Sequence, residues 1–196
     1  MRSHIAFDLD GVLIDFMKIA KEKILEIYGI EYENEDPKND NYNLVTWPAL
    51  SNLTKNEIWI AFREGYKEIR SDIVFPGATE LLAKLYEKTN EPPLIITARP
   101  FDTADLTYKI VKKVAKKTPF NLVLKHPQAK KSQYLTNYSI YVEDRRRTAL
   151  ELSELGFIVP LVKTHYNNIP DIDKYPKIHY INGVHELIPL IDDFCY

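Results

Sequence analysis

The chain has 196 residues, a formal net charge of −2, and 45% hydrophobic, 28% charged and 12% aromatic residues. That balance excludes a disordered chain, and the length allows one sizeable core with a small insertion. The apolar runs, Leu94–Ile96 and Phe157–Val162 among them, are far short of the ~20 residues of a membrane-spanning helix, and the near-neutral charge gives no general pull toward nucleic acid or an anionic membrane.

His4 to Asp8 is a short apolar run that stops at acidic residues and Gly11, the pattern of a buried strand. Asp8 and Asp10 also break any signal-peptide core. Phe16, Ile19, Ala20, Ile24, Ile27 and Tyr28 fall at helical spacing, and Gly29 supplies a stop. Residues 31–52, rich in Glu, Asp, Asn, Pro and Ser, read as an irregular loop. Thr54 to Glu57 has the capping-box pattern, and the helix it opens puts Ile58, Phe62, Tyr66 and Ile69 on one face. Pro76-Gly77 then punctuates the chain. A helix is expected over 78–87 and a strand over 94–97. Asp102 is expected to cap a helix to about Lys117, with Leu106, Ile110 and Val114 inward and Lys112, Lys113, Lys116 and Lys117 near its negative end. Strands follow at 120–124, 139–143, 157–162 and 177–181. Helices are expected at 129–136, 148–155 and 183–192. This alternation predicts an α/β fold, a Rossmann-like doubly wound parallel sheet covered on both faces. Residues 16–71 interrupt it with helices only, and read as a small helical cap inserted between core segments 1–15 and 72–196. Cys195, the single cysteine, excludes an intrachain disulfide or a multi-cysteine zinc site, and a cytoplasmic, reducing setting is expected.

In an open parallel sheet, ligands sit beyond the carboxyl ends of the strands. Those ends carry Asp8, Asp10 and Gly11, then Thr97, Ala98 and Arg99, then Glu143 and Asp144, with Lys125, Lys130 and Lys131 ahead of the last strand. Carboxylates suit a hard cation such as Mg²⁺. A hydroxyl, backbone N–H groups and an ammonium suit phosphate oxygens. Arg99 and Arg145 either contact the substrate or pair with neighbouring acids. Arg145-Arg146-Arg147 reads as a solvated helix start rather than a nucleic-acid patch. Tyr32, Tyr42, Trp47, Trp59, Phe62 and Tyr66 crowd the inserted segment, where they pack it onto the core and leave one or two free to stack on a base. His165 and His179 lack spaced ligand partners and read as structural.

Asp8-Leu9-Asp10-Gly11-Val12 after an apolar strand resembles the first motif of the haloacid dehalogenase (HAD) superfamily of phosphotransferases. Ile95-Ile96-Thr97-Ala98-Arg99 resembles its second motif, Lys131 suits the third, and Tyr141-Val142-Glu143-Asp144-Arg145 resembles the fourth, in the right order along the chain. More narrowly, Asp8 to Phe16, Glu143-Asp144-Arg145 and His165-Tyr166-Asn167 are similar to the 5′(3′)-deoxyribonucleotidase branch. The segment after Thr97 and the Glu-Asp of the fourth motif depart from the animal enzymes of that branch.

The resemblance implies a Mg²⁺-dependent phosphomonoester hydrolase. Asp8 would be the nucleophile and Asp10 the acid and base. The metal would sit between Asp8, the Asp10 carbonyl, and Glu143 or Asp144, while Thr97, Ala98 and Lys131 would hold phosphoryl oxygens. Lys125 and Lys130 remain alternatives to Lys131. Gly11 is expected to make a tight turn that leaves backbone N–H groups facing the phosphate. The leading substrate is a small nucleoside or deoxynucleoside monophosphate. A sugar or other metabolite phosphate, a 3′-phosphate on a polynucleotide end, and a non-enzymatic phospho-acceptor or binding module are the alternatives. A monomer and a homodimer both stay open.

Overall fold

The computed structural model describes residues 5–31 and 48–194. His4, most of the loop expected at 31–52 with Tyr32, Tyr42 and Trp47, and Cys195 lie outside the described residues. Ile5–Phe7 (β1), Leu94–Thr97 (β2), Asn121–Leu124 (β3) and Ile140–Val142 (β4) pair in parallel, in the order β3-β2-β1-β4. Val159–Val162 (β5) and Ile178–Ile181 (β6) form a second parallel pair. The N–H groups of Tyr141 and Glu143 donate to the carbonyls of Ile158 and Pro160 at 3.0 and 3.1 Å, so the parallel array continues past β4.

Parallel strands need crossovers, and helices Ala78–Thr89, Ala104–Ala115 and Arg146–Glu154 supply three of them. Side chains alternate across each central strand. Ile5, Phe7, Ile95, Ile140 and Val142 enter one hydrophobic core, and Ala6, Leu94, Ile96 and Tyr141 enter the other. Both faces are therefore apolar, as the near-continuous hydrophobic strands predict.

Helix α1 (Phe16–Tyr28) starts where the Asp15 side chain accepts from the Lys18 N–H, and ends at Gly29, whose φ of 67° suits glycine. Helix α2 (Lys55–Gly65) has the expected capping box, with Thr54 and Glu57 satisfying each other's backbone N–H. The two helices meet at Gly65, where an added Cβ would lie 3.1 Å from Ile19 and 3.3 Å from Phe16. Their buried residues Phe16, Ile19, Ile24, Ile58 and Phe62 belong to the same hydrophobic core as β1. The chain leaves for this segment and returns from it side by side. Asp15 N–H donates to the Ile73 carbonyl at 2.7 Å, and Phe75 N–H donates to the Leu13 carbonyl at 3.1 Å.

Several local expectations change, the first being that α2 ends at Gly65, so Ile69 lies beyond it. Asp102 does not cap the helix after β2: its carboxylate pairs with Arg63, a 3₁₀ turn covers Phe101–Thr103, and α3 (Ala78–Thr89) is followed by α4 only from Ala104. The helix at 129–136 is a single 3₁₀ turn, Lys131–Tyr134, which buries Lys131. The last helix is 3₁₀ over Val184–Leu190, because Pro189 lacks the N–H that a continuous α-helix uses. After α5 (Arg146–Glu154), only α6 (Ile191–Phe194) is α-helical near the C-terminal end of the described chain.

Candidate active site

Asp8 follows β1, and its N–H continues the β1–β4 ladder by donating to the Val142 carbonyl at 2.9 Å. The end of β1 is thereby aligned with the end of β4, where Glu143 and Asp144 stand. Gly11 has φ +82°, and a Cβ there would lie 2.1 Å from Asp144 Oδ2. Only glycine lets the chain turn here while passing this close to a carboxylate. Its own N–H donates to the Ile14 carbonyl at 2.8 Å and closes the tight turn expected here.

Asp8, Glu143 and Asp144 each bring one carboxylate oxygen within 4.8 Å of the others, and all three are buried. Asp8 Oδ1 accepts the Leu9 N–H at 2.9 Å, and Oδ2 lies 2.8 Å from Lys131 Nζ. Lys131 Nζ also donates to Glu143 Oε2 at 2.8 Å. Glu143 Oε1 accepts the backbone N–H groups of Asp144 and Arg145 at 3.1 and 3.0 Å. Asp144 Oδ2 accepts the Tyr166 hydroxyl at 2.5 Å, while its Oδ1 is buried with no hydrogen-bond partner.

One ammonium does not neutralise three buried carboxyls. Burial pushes the Asp8 carboxyl up to about 7, against the pull of Lys131. Burial, with Glu143 and Asp8 beside it, holds Asp144 well above the usual carboxylate range. Glu143, against its own burial, is drawn below that range by Lys131 and by its hydrogen bonds. Lys131 stays well above its ordinary value, because Asp8 and Glu143 outweigh its burial. An orphaned carboxylate oxygen among three clustered acids is the donor set of a hard divalent cation, and the site fits Mg²⁺.

The three lysines separate cleanly. Lys125 Nζ donates to the carbonyls of His126, Pro127 and Ala129 at 3.1, 3.3 and 2.9 Å. Lys130 is exposed and 3.5 Å from Glu151. Lys131 alone of the three touches Asp8. Thr97, at the end of β2, is buried, and its Oγ1 accepts the Arg99 N–H at 3.3 Å. The Asp10 carboxylate stands apart from the triad and pairs with Arg99, whose Nη2 reaches Oδ1 at 2.7 Å.

A cavity of about 440 Å³ opens over these residues. Asp8, Asp10, Thr97, Ala98 and Asp144 line it from the strand ends; Ile58, Trp59, Phe62 and Tyr66 line it from α2 and its C-cap. Lys55, Arg99, Lys125 and Arg145 add positive charge. Two supporting residues have no role assigned in the sequence reading. Tyr166 holds Asp144 Oδ2, and Asn167 Nδ2 donates to the carbonyls of Asp144 and Val162, both at 2.7 Å. The His165-Tyr166-Asn167 string marks the place, but no spacing rule ties it to an acid 22 residues earlier. Lys55 carried no signal beyond its place at the start of α2.

No family model matches the sequence. The chain is 31% identical over 119 residues to a nucleotidase from Clostridium acetobutylicum, a match spanning 56% of this chain and 57% of that protein. Among solved structures, a hydrolase from Pseudomonas syringae superposes with a TM-score of 0.64 at 18% identity, over all of both chains. A magnesium-bound Bacillus subtilis protein ascribed to the HAD hydrolases, YfnB, gives 0.63 at 14% identity over 98% of this chain and 100% of that one. A β-phosphoglucomutase from Clostridium difficile gives 0.57 at 14% identity over 98% and 96%. The strand order, the parallel register and these superpositions give the chain the Rossmann-like α/β fold of the HAD hydrolases.

Proposed function

We propose that this protein is a Mg²⁺-dependent phosphomonoester hydrolase that works through an aspartyl-phosphate, with a nucleoside or deoxynucleoside monophosphate as substrate. The observation that carries the reading is Asp8, buried beside Lys131 and two further carboxylates and lining a cavity with an aromatic wall. Asp8 attacks phosphorus in line, and the bond to the leaving oxygen breaks as Asp10 gives that oxygen a proton. Water then attacks the acyl phosphate, Asp10 takes its proton, and phosphate departs with Asp8 restored. Thr97, Ala98 and Lys131 bind the phosphoryl oxygens. Asp8, Glu143, Asp144 and the Asp10 carbonyl would hold the Mg²⁺, which would supply positive charge to offset the repulsion of nucleophile and phosphate. Residues 16–71 act as a cap over the site.

Two observations favour a nucleotide. Trp59, exposed on the cavity wall, offers a ring face on which a base can stack, with Arg145 nearby for a polar group. The likeness to the clostridial nucleotidase points the same way. A sugar phosphate is the second reading, favoured by the superposition on β-phosphoglucomutase.

The test is phosphate release from nucleoside 5′- and 3′-monophosphates and from sugar phosphates, with and without Mg²⁺, beside Asp8→Asn. Metal-dependent release from nucleotides is expected, with a loss of about 10³-fold or more in the variant. Release from sugar phosphates alone keeps the chemistry and rejects the nucleotide. No release from any of them rejects a small-molecule phosphatase and leaves a polynucleotide 3′-phosphate or a non-catalytic role.

A further inference from the structure

A carboxylate that exchanges a proton with a leaving group must be held within reach of it. Asp10 is held by one side chain. Arg99 Nε donates to Asp10 Oδ2 at 2.9 Å and to Oδ1 at 3.2 Å, and Nη2 donates to Oδ1 at 2.7 Å. The Arg99 side chain is only 2% exposed. A guanidinium buried so deeply stays charged and needs a carboxylate. Asp10 is the one it reaches among the described residues.

Two rings back the pair. The guanidinium carbon lies 4.7 Å from the centre of the Tyr66 ring and 5.2 Å from that of Phe16. Those rings stack on each other, with centres 4.6 Å apart and planes 16° from parallel. Phe16 opens α1, and Tyr66 caps the end of α2. The same arginine therefore joins the loop after β1, the end of β2 and both helices of the inserted segment.

We infer that Arg99 is a positioning residue for Asp10, and that the Phe16–Tyr66 pair holds Arg99 in place. The packing of Phe16 and Tyr66 against the sheet edge thereby sets the orientation of the acid–base carboxylate. The inference rests on the hydrolase reading above. Direct contact with the substrate phosphate is the competing role. The geometry disfavours it: Nε and Nη2 are engaged by Asp10, and Nη1 alone is left without a hydrogen-bond partner for a ligand. Cation–ring contacts and the ion pair together leave little of the guanidinium for a ligand.

The two roles separate by leaving group. An alkyl phosphate needs its leaving oxygen protonated, whereas p-nitrophenyl phosphate does so far less. We would measure kcat/KM for both esters with the wild type, Arg99→Gln, Arg99→Lys, Tyr66→Leu, Asp10→Asn and the Asp10→Asn/Arg99→Gln double variant, after checking each fold by thermal unfolding. Arg99→Gln should cost about 10²-fold with the alkyl ester and much less with p-nitrophenyl phosphate, the pattern of Asp10→Asn. In the Asp10→Asn background it should cost under about 2-fold more, and Arg99→Lys should recover part of the loss. Tyr66→Leu should show the same leaving-group dependence in weaker form, and carries the test if Arg99→Gln does not fold. Equal losses on both esters, or full additivity with Asp10→Asn, would make Arg99 a substrate contact and overturn the inference. Hydrolysis by the wild type with Asp10→Asn harmless would remove the role of Asp10 itself. No hydrolysis of either ester would overturn the hydrolase reading and this inference with it.

Discussion

On the flank of α1, Arg70 meets Glu22 at 2.5 and 2.8 Å and Asp72 at 2.9 Å, and Lys18 meets Asp72 at 2.8 Å. At the sheet edge, Asp8 and Glu143 share one ammonium, and Asp144 has none among the described residues. Glu22 and Asp72 sit below their ordinary carboxylate values, drawn down by hydrogen bonds to Arg70 and to Lys18 respectively. Asp8 and Asp144 are pushed up, chiefly by burial. The flank matches its charges where water already screens them, so each pair contributes little. The edge buries charge that its own residues leave unbalanced, which is costly unless something cationic completes it.

The contrast can be broken most directly with metal and pH. In the unfolded chain Asp8 ionises near 3.8; in the folded, metal-free protein it keeps its proton to about 7. The folded state binds more protons across that window, so this group's contribution to stability is present at low pH and is lost as pH rises toward 7. Thermal unfolding in a chelator should show that loss between about pH 4 and about pH 7. Adding Mg²⁺ should reverse it, most strongly at the higher pH, by about 2.7 kcal/mol at a hundred times Kd. A midpoint indifferent to Mg²⁺ at both pH values would mean that the triad does not hold the cation.

Gly11→Ala tests how tightly the edge is built. The new methyl group would collide with the Asp144 carboxylate in a left-handed backbone conformation. A stability cost of about 1–3 kcal/mol is expected, from strain at that φ. Phosphate release should fall further than stability, because Asp144 must move. Loss of stability with full activity would show that Asp144 is dispensable.

The smallest effect is expected on the flank. Arg70→Ala should cost under about 1 kcal/mol, measured by urea unfolding, and less again at high salt. The lowered values of Glu22 and Asp72 give the opposite pH sign to Asp8: their contribution is present above the usual carboxylate range and is lost as pH falls through it. An Arg70→Ala loss as large as that of Gly11→Ala would erase the distinction between the two regions.

Much of the framework was legible in the residues. Phe16–Tyr28 and Leu94–Thr97 lie where their spacing puts them, and the Thr54–Glu57 capping box is formed. These are local properties: helical period, a cap and an apolar run need only near neighbours. What the residues misplaced and what they left open share a cause. Asp102 is a good cap by type, but Arg63 on a distant helix takes its carboxylate. Three lysines near the third motif are equivalent in sequence, and only the fold buries Lys131 between Asp8 and Glu143. Tyr166 and Asn167 reach Asp144 because β5 lies beside β4, a neighbour relation that no local pattern states.

The sequence by itself determined the parallel α/β class and which strand ends carry acids, a threonine and a glycine. Those features depend on residue type and short-range spacing. The tertiary structure alone decided which groups touch. It made Asp8, Glu143 and Asp144 a single buried cluster, turned Asp10 onto Arg99, and set that arginine against Phe16 and Tyr66. Such pairings follow from strand order and helix packing, which bring together residues as far apart as 89 positions, where the chain carries no local record of the contact.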